Sequence, residues 1–338
     1  MDSELHPEYS VDDDQEIRLR PLSLQEFLGQ DTVTSNLSVF IQAARSRAEA
    51  LDHVFLNGPP GLGKTTLAGI MAHEMETEFR VTSAPALEKP KDLAGILTTL
   101  SPGSVFFIDE IHRLRPVLEE MLYTAMEDFE LDWVIGQGPS ARSVRIPVAR
   151  FTLVGATTKA GSVSSPMHSR FGISVRLNLY SDDEIILILR RSASLMDIEV
   201  SDDALPLLAQ CSRGTPRVAN RILRRMRDFA QVLGDGRITV DTVRHGMQRL
   251  EIDSQGLERH DREILQTIIR NYNGGPVGAE TLAISIGESV DTLEDFYEPY
   301  LIQRGFIQRT PRGRTVTNLA YEHLQMEAPS DADQRFLF

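Results

Sequence analysis

Short apolar runs alternate with helix-like segments through the first half of the chain. The runs HVFLN, SVFFIDE and FTLVGATT begin at residues 53, 104 and 151, and each ends in polar residues. Continuous apolar runs of this length are typical of strands that are buried on both faces of a parallel sheet. The pattern therefore predicts an α/β layer fold for this half of the chain.

After Tyr180 the apolar positions follow a helical period only. The segment SDDEIILILRRSASL places Ser181 and Glu184 three residues apart ahead of an apolar run, which is the spacing of a capping box at a helix start. We therefore expect an all-helical domain to begin here.

A third pattern begins near Gly256. It predicts a helix over residues 257–270, a break at a Gly-Gly pair, two more helices, and then two β-rich arms around a Pro/Gly turn in GFIQRTPRGRTVT. Three helices followed by a hairpin are typical of a winged helix, a relative of the helix-turn-helix that is common in DNA-binding proteins.

The two ends of the chain differ from its body in charge. Residues 2–16 hold seven acidic residues and no Lys or Arg, and residues 325–338 hold three acids and one Arg, so the net charge of −14 falls to −5 for the body. Ends of this kind predict solvated tails. The predicted segments are an acidic disordered tail (1–16), a large α/β domain (17–180), a small helical domain (181–254), a winged-helix domain (255–325) and a flexible tail (326–338).

Composition narrows the cellular setting. The chain is 41% hydrophobic and 25% charged, which is typical of a soluble globular protein. Its single cysteine, Cys211, excludes a disulfide framework. No apolar run approaches the length of a membrane span, and the acidic N-terminus is unlike a secretory signal, so we expect a cytoplasmic protein. Arginine outnumbers lysine 31 to 4, which fits either codon usage or contacts with phosphate.

The segment GPPGLGKTT, residues 58–66, breaks both helix and strand patterns between an apolar run and a helical one. The segment has the pattern of a phosphate-binding loop: Gly58 is followed by four residues and then by Gly63, Lys64 and Thr65. Glycines let the backbone curl so that successive N–H groups face one anion, and the following helix adds its positive end. Lys64 would reach the β and γ phosphates, and the Thr65 hydroxyl would bind Mg²⁺. The sequence therefore predicts ATP binding with Mg²⁺.

Polar residues at two other strand ends fit the same chemistry. Asp109 and Glu110 follow the run VFFI, where one carboxylate can hold Mg²⁺ and the next can activate the attacking water. Thr157 and Thr158 end the third run, where a hydroxyl could position that water. Without the phosphate loop, both pairs would read equally well as ordinary polar strand ends.

Two arginines are candidates for contact with the phosphates. Arg170 lies in SPMHSRFG, on a segment that leaves the sheet, and a guanidinium supplied to a γ phosphate accelerates hydrolysis by orders of magnitude. Arg217 lies in GTPR, where Thr215 is predicted to cap a helix and Pro216 to occupy its first turn. Surface arginines are usually only solvated, so both assignments depend on the other motifs.

These residues resemble the AAA+ ATPases and, within them, the bacterial motors that drive branch migration of Holliday junctions. The resemblance covers about residues 17–320 and rests on several runs of ten residues or more. The motifs that carry it, in chain order, are LRPLSLQEFLGQ, LDHVFLNGPPGLGKTTLA, FIDEIHRL, YTAMEDFELDWVIGQGPSARSVRI, FTLVGATTKAGSVSSPMHSRFG, SRGTPRVANR, GGPVGAETLA and EPYLIQRGFIQRTPRGR. It implies an AAA+ parallel-sheet ATPase core, a small all-helical lid domain and a C-terminal winged-helix domain.

The resemblance also implies roles for single residues. Those that would line the adenine pocket are Leu19, Arg20 and Tyr180. Those that would hold phosphates or Mg²⁺ are Gly61, Gly63, Lys64, Thr65, Thr66 and Asp109. Those that would act in hydrolysis are Glu110, Asp109, Thr158 as first sensor and Arg217 as second sensor. Arg170 would reach a neighbouring subunit's nucleotide, near Glu127, Asp128 and Phe129, which implies a homo-oligomer, in this family a hexameric ring on DNA.

Residues 130–146, ELDWVIGQGPSARSVRI, alternate apolar and polar positions on both sides of a Gly/Pro turn, which predicts a hairpin extending from the core. Trp133 could simply pack in the core. The resemblance implies instead that Trp133, Val134 and Ile135 dock a RuvA-type junction-binding protein, with a RuvC-type resolvase as a further partner.

The charges of the winged helix are distributed unusually. The region SVDTLEDFYEPYL, where a helix-turn-helix would read bases, carries four acids, which repel phosphate: Asp291, Glu294, Asp295 and Glu298. The basic residues lie on the predicted hairpin, at Arg309, Arg312 and Arg314. We therefore expect the wing to contact the DNA backbone without base readout. The resemblance also implies a further arginine just before this helix, at the position where the chain has Val290.

The resulting prediction is a Mg²⁺-dependent ATPase that moves duplex DNA through Holliday junctions during recombination and repair of DNA damage, including the SOS response. The main alternative is an AAA+ replication initiator or helicase loader that uses ATP as a switch. A nucleotide-gated scaffold is disfavoured by Glu110 and Arg170, and a clamp loader by the predicted wing.

Overall fold

A computed structural model describes residues 18–135 and 142–328. The predicted acidic tail, 1–16, lies outside these ranges, as does all but residues 326–328 of the predicted C-terminal tail. The chain forms two compact units. One contains the described residues up to Asn178 except Pro59–Gly61, and the other contains Pro59–Gly61 and the described residues from Leu179 onward.

The first unit alternates strands and helices around a parallel sheet. Its helices are α1 (Asp31–Arg47), α2 (Lys64–Glu74), α3 (Pro90–Leu97), α4 (Pro116–Glu127) and α5 (Ser165–His168). Its strands are β1 (Val54–Asn57), β2 (Phe79–Ser83), β3 (Val105–Asp109), β4 (Glu130–Ile135), β5 (Arg142–Pro147), β6 (Thr152–Thr157) and β7 (Ile173–Arg176).

Five of these strands form one parallel sheet in the order β2-β3-β6-β1-β7. The three runs that the apolar pattern singled out are β1, β3 and β6, which occupy its middle, and the prediction of buried parallel strands is confirmed. Because the strands are parallel, the segments that follow β1, β3 and β6 all leave from the same edge. That edge carries the phosphate loop, the acidic pair and the two threonines.

The predicted hairpin is present as β4 and β5, which pair antiparallel from Glu130 opposite Pro147 to Ile135 opposite Arg142. Trp133 is half-buried and packs against the core of the first unit. Val134 lies beside it in the same strand, and the turn residues 136–141 lie outside the described ranges.

The second unit is mostly helical. Its helices are α6 (Asp182–Leu195), α7 (Ala204–Cys211), α8 (Pro216–Leu233), α9 (Val240–Arg249), α10 (Arg259–Tyr272), α11 (Ala279–Ile286), α12 (Val290–Thr292), a π-helix (Leu293–Tyr297), α13 (Glu298–Gln303) and α14 (Asn318–His323). Two short strands, β8 (Ile307–Thr310) and β9 (Gly313–Val316), pair antiparallel.

Local sequence signals explain how two of these helices begin. Ser181 and Glu184 form the predicted capping box of α6, in which each side chain bonds the other residue's backbone N–H. Helix α10 begins two residues later than predicted because the Asp261 carboxylate accepts the Glu258 N–H at 2.8 Å, which makes Glu258 the N-cap.

The winged helix is built from α10, α11, the helical segment from α12 to α13, and the β8–β9 hairpin. Val277 and Arg314 exchange two backbone hydrogen bonds, of 3.0 and 2.8 Å, which tie the hairpin to the segment before α11. Gly313 has φ 136°, and a Cβ there would collide with Val277 O, so this close approach requires glycine. The fold class predicted from the sequence is confirmed.

No helix among the described residues is both long and apolar enough to cross a membrane.

Candidate functional site

The phosphate loop joins β1 to α2 by a backbone that glycine makes possible. Gly58, Gly61 and Gly63 have φ values of 147°, 79° and 92°, which L side chains rarely adopt. Gly63 is the N-cap of the eleven-residue α2 and has no side chain with which to cap it. The N–H groups of the first turn are therefore presented to whatever anion enters the loop.

Lys64 is held beside this loop. The residue is only 7% exposed, and its Nζ donates a hydrogen bond to Gly58 O at 2.8 Å. An ammonium group this deeply buried is retained when it has partners or a charged ligand. Thr65 and Thr66 follow in the first turn of α2 and are half-buried.

The acidic pair stands at the end of β3. Asp109 is the last residue of the strand, and its Oδ1 accepts the Glu110 N–H at 2.9 Å. Glu110 has a left-handed backbone with φ 52°, which is uncommon for a residue with a side chain. It is the N-cap of a 3₁₀ helix, Ile111–Arg113, so the chain turns sharply immediately after the strand.

The end of β6 is linked to this turn by a histidine for which the sequence analysis assigned no role. His112 Nδ1 lies 2.8 Å from Thr157 Oγ1 and 3.4 Å from Glu110 Oε2. Thr157 is fully buried, and its Oγ1 also accepts the Lys159 N–H at 2.9 Å. The available signal was a histidine two residues after Glu110 in FIDEIHRL. Thr158 follows Thr157 and is half-buried.

Arg170 lies on the segment after α5 and is held by neighbours of its own chain. Its Nε lies 3.1 Å from Glu127 Oε1, and its guanidinium stacks 4.3 Å from the centre of the Tyr123 ring. One of its terminal nitrogens donates to Pro166 O at 2.7 Å. The structure therefore brings together Arg170 and Glu127, two of the residues assigned to the shared nucleotide.

The other two residues of that group follow α4. Asp128 is the exposed C-cap of α4. Phe129 has a left-handed backbone, with φ 56°, and its ring packs on the core of the first unit. Near the N-terminus, Leu19 is buried and Arg20 is exposed.

Tyr180 and Arg217 belong to the second unit. Tyr180 is buried, which raises the pKa of its hydroxyl, and its N–H donates to Gly214 O at 2.8 Å. Arg217 is exposed in the first turn of α8, after Pro216 as predicted, and its N–H donates to Gly61 O at 3.4 Å. The predicted cap is only partly right, because the Thr215 hydroxyl bonds Ser212 O and not the helix.

Two of the wing arginines and two of the acids of the winged helix form one network. Glu298 is fully buried and receives Arg314 Nε at 2.7 Å on one carboxylate oxygen and Arg309 Nε at 2.6 Å on the other. Glu294 bonds Arg314 as well. The acids and bases form separate sets along the sequence, but the fold pairs Glu298 with Arg309 and Arg314, and Glu294 with Arg314.

Arg312 differs from the other two wing arginines. It is exposed in the turn between β8 and β9, and within residues 18–135 and 142–328 its guanidinium has no ion pair. Most of the uncompensated positive charge of the wing therefore lies at this turn.

Among the described residues, acidic side chains alone do not form a metal site, so a bound Mg²⁺ would also need oxygens from the nucleotide phosphates. No group of three or more His, Cys, Asp or Glu side chains that could hold a metal occurs in the described part of the chain. Mg²⁺ is commonly bound by one or two protein oxygens together with substrate phosphates. Thr65 and Asp109 fit that arrangement.

Together, the fold and the phosphate loop define an AAA+ P-loop protein with a helical lid and a winged helix. Three family models match consecutive parts of the chain: the Holliday junction DNA helicase RuvB P-loop domain at residues 19–177, the RuvB AAA lid domain at 180–253 and the RuvB C-terminal winged helix domain at 254–325. The chain belongs to the RuvB family.

Individual relatives cover nearly the whole chain. The Holliday junction branch migration complex subunit RuvB of Treponema denticola is 65% identical over 329 residues, which are 97% of this chain and 96% of the relative. The corresponding Borreliella burgdorferi subunit is 59% identical over 319 residues, covering 94% and 92%. A solved structure of the Thermotoga maritima RuvB Holliday junction branch migration motor is 52% identical, with a TM-score of 0.86, covering 92% of this chain and 100% of that one.

Proposed function

We propose that this protein is an ATP-driven motor that promotes branch migration of Holliday junctions. The observation that carries the proposal is the single edge of the sheet at which the phosphate loop, the Asp109–Glu110 pair and Thr157 all lie. This edge is joined in one chain to a winged helix, and the relatives that share the whole arrangement are branch migration subunits.

The chain's own residues supply most of the chemistry. Lys64 and the first turn of α2 bind the phosphates, and Thr65 and Asp109 hold Mg²⁺, which neutralises phosphate charge when bound. Glu110 orients and deprotonates the attacking water. Thr158 and Arg217 act as the two sensors, and Leu19, Arg20 and Tyr180 line the adenine pocket.

Arg170 acts on the nucleotide of a neighbouring subunit, so the active form is an oligomer, in this family a hexameric ring. This role is supported by the 3.1 Å ion pair between Arg170 and Glu127, because Glu127 is assigned to the same shared nucleotide. We expect Arg170→Ala to bind ATP normally and to hydrolyse it at least about a thousandfold more slowly. Full turnover by this variant would reject the assignment in trans.

The DNA is duplex and is contacted through its backbone, without sequence preference, by the wing. The hairpin of β4 and β5 docks a RuvA-type junction-binding protein, and a RuvC-type resolvase acts on the same junctions. The setting is recombination and DNA repair in the cytoplasm.

The test is ATP-dependent dissociation of a synthetic four-way junction, with and without a RuvA-type partner, beside a linear duplex of matched sequence. The proposal predicts junction dissociation that requires hydrolysis, and Lys64→Ala serves as the inactive control because it loses nucleotide binding. DNA binding without junction movement, even with the partner, would favour a replication initiator or helicase loader.

A further inference from the structure

His112 connects the residue expected to activate water with the end of β6. Its Nδ1 faces two oxygens, Glu110 Oε2 at 3.4 Å and Thr157 Oγ1 at 2.8 Å. These two oxygens come from different strand ends, β3 and β6, which are neighbours in the sheet. The imidazole is therefore the side chain that bridges the two ends.

The charges around Nδ1 determine where its proton lies. A bare Nδ1 would present a lone pair to the Glu110 carboxylate, which is unfavourable, whereas an Nδ1–H is attracted to it. Thr157 Oγ1 already accepts the Lys159 N–H and has a second lone pair for the imidazole. The arrangement favours a histidine that carries hydrogen on Nδ1, lies in hydrogen-bond contact with Thr157 Oγ1 at 2.8 Å and attracts the Glu110 carboxylate 3.4 Å away.

The histidine is held more firmly than the glutamate. His112 is the middle residue of the 3₁₀ turn, which is closed by the Arg113 N–H to Glu110 O bond at 2.8 Å. Its side chain is 10% exposed, whereas that of Glu110 is 32% exposed. Of the two groups, the imidazole is the fixed one, so it can set the orientation of the carboxylate.

We propose that His112 is a positioning residue for Glu110. Through Nδ1–H it holds the carboxylate in the orientation that activates water, and it takes its own orientation from Thr157. The inference rests on the ATPase function proposed above and adds a residue to it.

The test compares replacements that keep or remove the donor. His112→Asn keeps an N–H close to the position of Nδ1, whereas His112→Leu removes it. We expect His112→Leu to lower kcat by on the order of tenfold to a hundredfold, with KM and ATP affinity changed less than about twofold, because the group acts on orientation and not on binding. His112→Asn should recover a large part of kcat.

Two further variants separate orientation from folding. Arg113→Ala removes an exposed side chain from the same 3₁₀ turn and should leave kcat and the unfolding temperature unchanged. Thr157→Val removes the hydroxyl that orients the imidazole and should also lower kcat. Combined with His112→Leu it should add little, because both replacements break one chain of contacts.

The outcomes are distinct. Wild-type kcat in His112→Leu, or a His112→Asn variant as slow as His112→Leu, would overturn the positioning role. A loss of ATP affinity or of unfolding temperature that matches the loss of kcat would also overturn it, because that is the result of a purely structural histidine. Absence of hydrolysis by the wild-type protein would overturn the proposed function itself.

Discussion

At the scale of single residues, His53 shows how burial fixes a protonation state. Its Nδ1 accepts the Leu153 N–H at 2.8 Å, and its Nε2 lies 3.2 Å from Met126 O. A backbone N–H can only donate, so Nδ1 carries no hydrogen and the ring is neutral. Burial lowers the pKa of His53, although the Met126 hydrogen bond partly opposes the shift.

This geometry predicts a pH dependence of stability. Below the ordinary histidine pKa of 6.5 the unfolded chain binds a proton that the folded ring excludes, so His53 makes the protein less stable as pH falls through that value. We expect the unfolding temperature of the wild type to fall between pH 7.5 and pH 5.5 by more than that of His53→Asn. His73→Gln, which changes an exposed histidine on α2, is the matched control and should keep the wild-type slope. Equal slopes in wild type and His53→Asn would contradict the prediction.

The same residue shows why the sequence predicted only part of the site. The phosphate loop and the acidic pair are local patterns, in which spacing alone fixes the geometry. His53 and Leu153 are 100 residues apart, and His112 meets Thr157 across 45. Contacts of this kind depend on which strands become neighbours in the sheet, and the local patterns of a single sequence do not determine the strand order.

At the scale of elements, the apolar pattern did not predict two strands of the sheet, and the reason is physical. Strands β2 and β7 lie at the two edges of the sheet. Their side chains are partly exposed, and β7 alternates buried with exposed positions, whereas β6 is buried throughout. A search for continuous apolar runs finds central strands and misses edge strands.

The wing gives a prediction that separates folding from DNA binding. Arg314 is 12% exposed and is bonded to the fully buried Glu298, so Arg314→Ala leaves a buried charge short of a partner and should destabilise the protein by about 3–5 kcal/mol. Arg312→Ala removes an exposed charge that has no ion pair within the part of the chain that the structure describes, and it should leave stability unchanged. It should weaken binding to duplex DNA by the same factor for all sequences. The slope of the logarithm of the binding constant against the logarithm of the salt concentration should become shallower by about one unit.

The measurements are thermal unfolding and fluorescence anisotropy of labelled duplexes over a series of salt concentrations. If Arg312→Ala binds duplex DNA with the affinity and the salt dependence of the wild type, the turn between β8 and β9 does not contact DNA. An Arg314→Ala variant with wild-type stability would show that Glu298 is satisfied without that guanidinium.

At the scale of the whole molecule, the second unit joins the segment matched as the lid to the segment matched as the winged helix. Arg213, before α8, donates to Asp261 of α10 at 2.8 Å, and both side chains are buried. The Arg213 guanidinium also lies 4.9 Å from the centre of the Tyr300 ring. Burial raises the pKa of Asp261 to about 6, and the attraction of Arg213, which favours the charged carboxylate, opposes this rise. A second, exposed pair, Arg221 with Glu258, connects α8 to the start of α10.

The buried pair should therefore control the stability of the second unit. Arg213→Met leaves the Asp261 charge buried and unpaired, and we expect a loss of about 3–5 kcal/mol, or roughly 10 °C in the unfolding temperature of this mostly helical unit. Adding Asp261→Asn should recover part of the loss, because the amide oxygen can still accept the Glu258 N–H while the charge is gone. Arg221→Ala is the control, and an exposed pair of this kind contributes only about 0–1 kcal/mol.

The unfolding of the two units can be followed separately, because the one tryptophan of the chain, Trp133, packs on the core of the first unit. Circular dichroism at 222 nm reports helices, most of which are in the second unit, and tryptophan fluorescence reports the first. We expect Arg213→Met to lower the midpoint seen by circular dichroism and to leave the Trp133 midpoint in place. A fall of both midpoints together would show that the two units unfold as one, and an unchanged circular dichroism midpoint would show that the buried pair contributes little to the second unit.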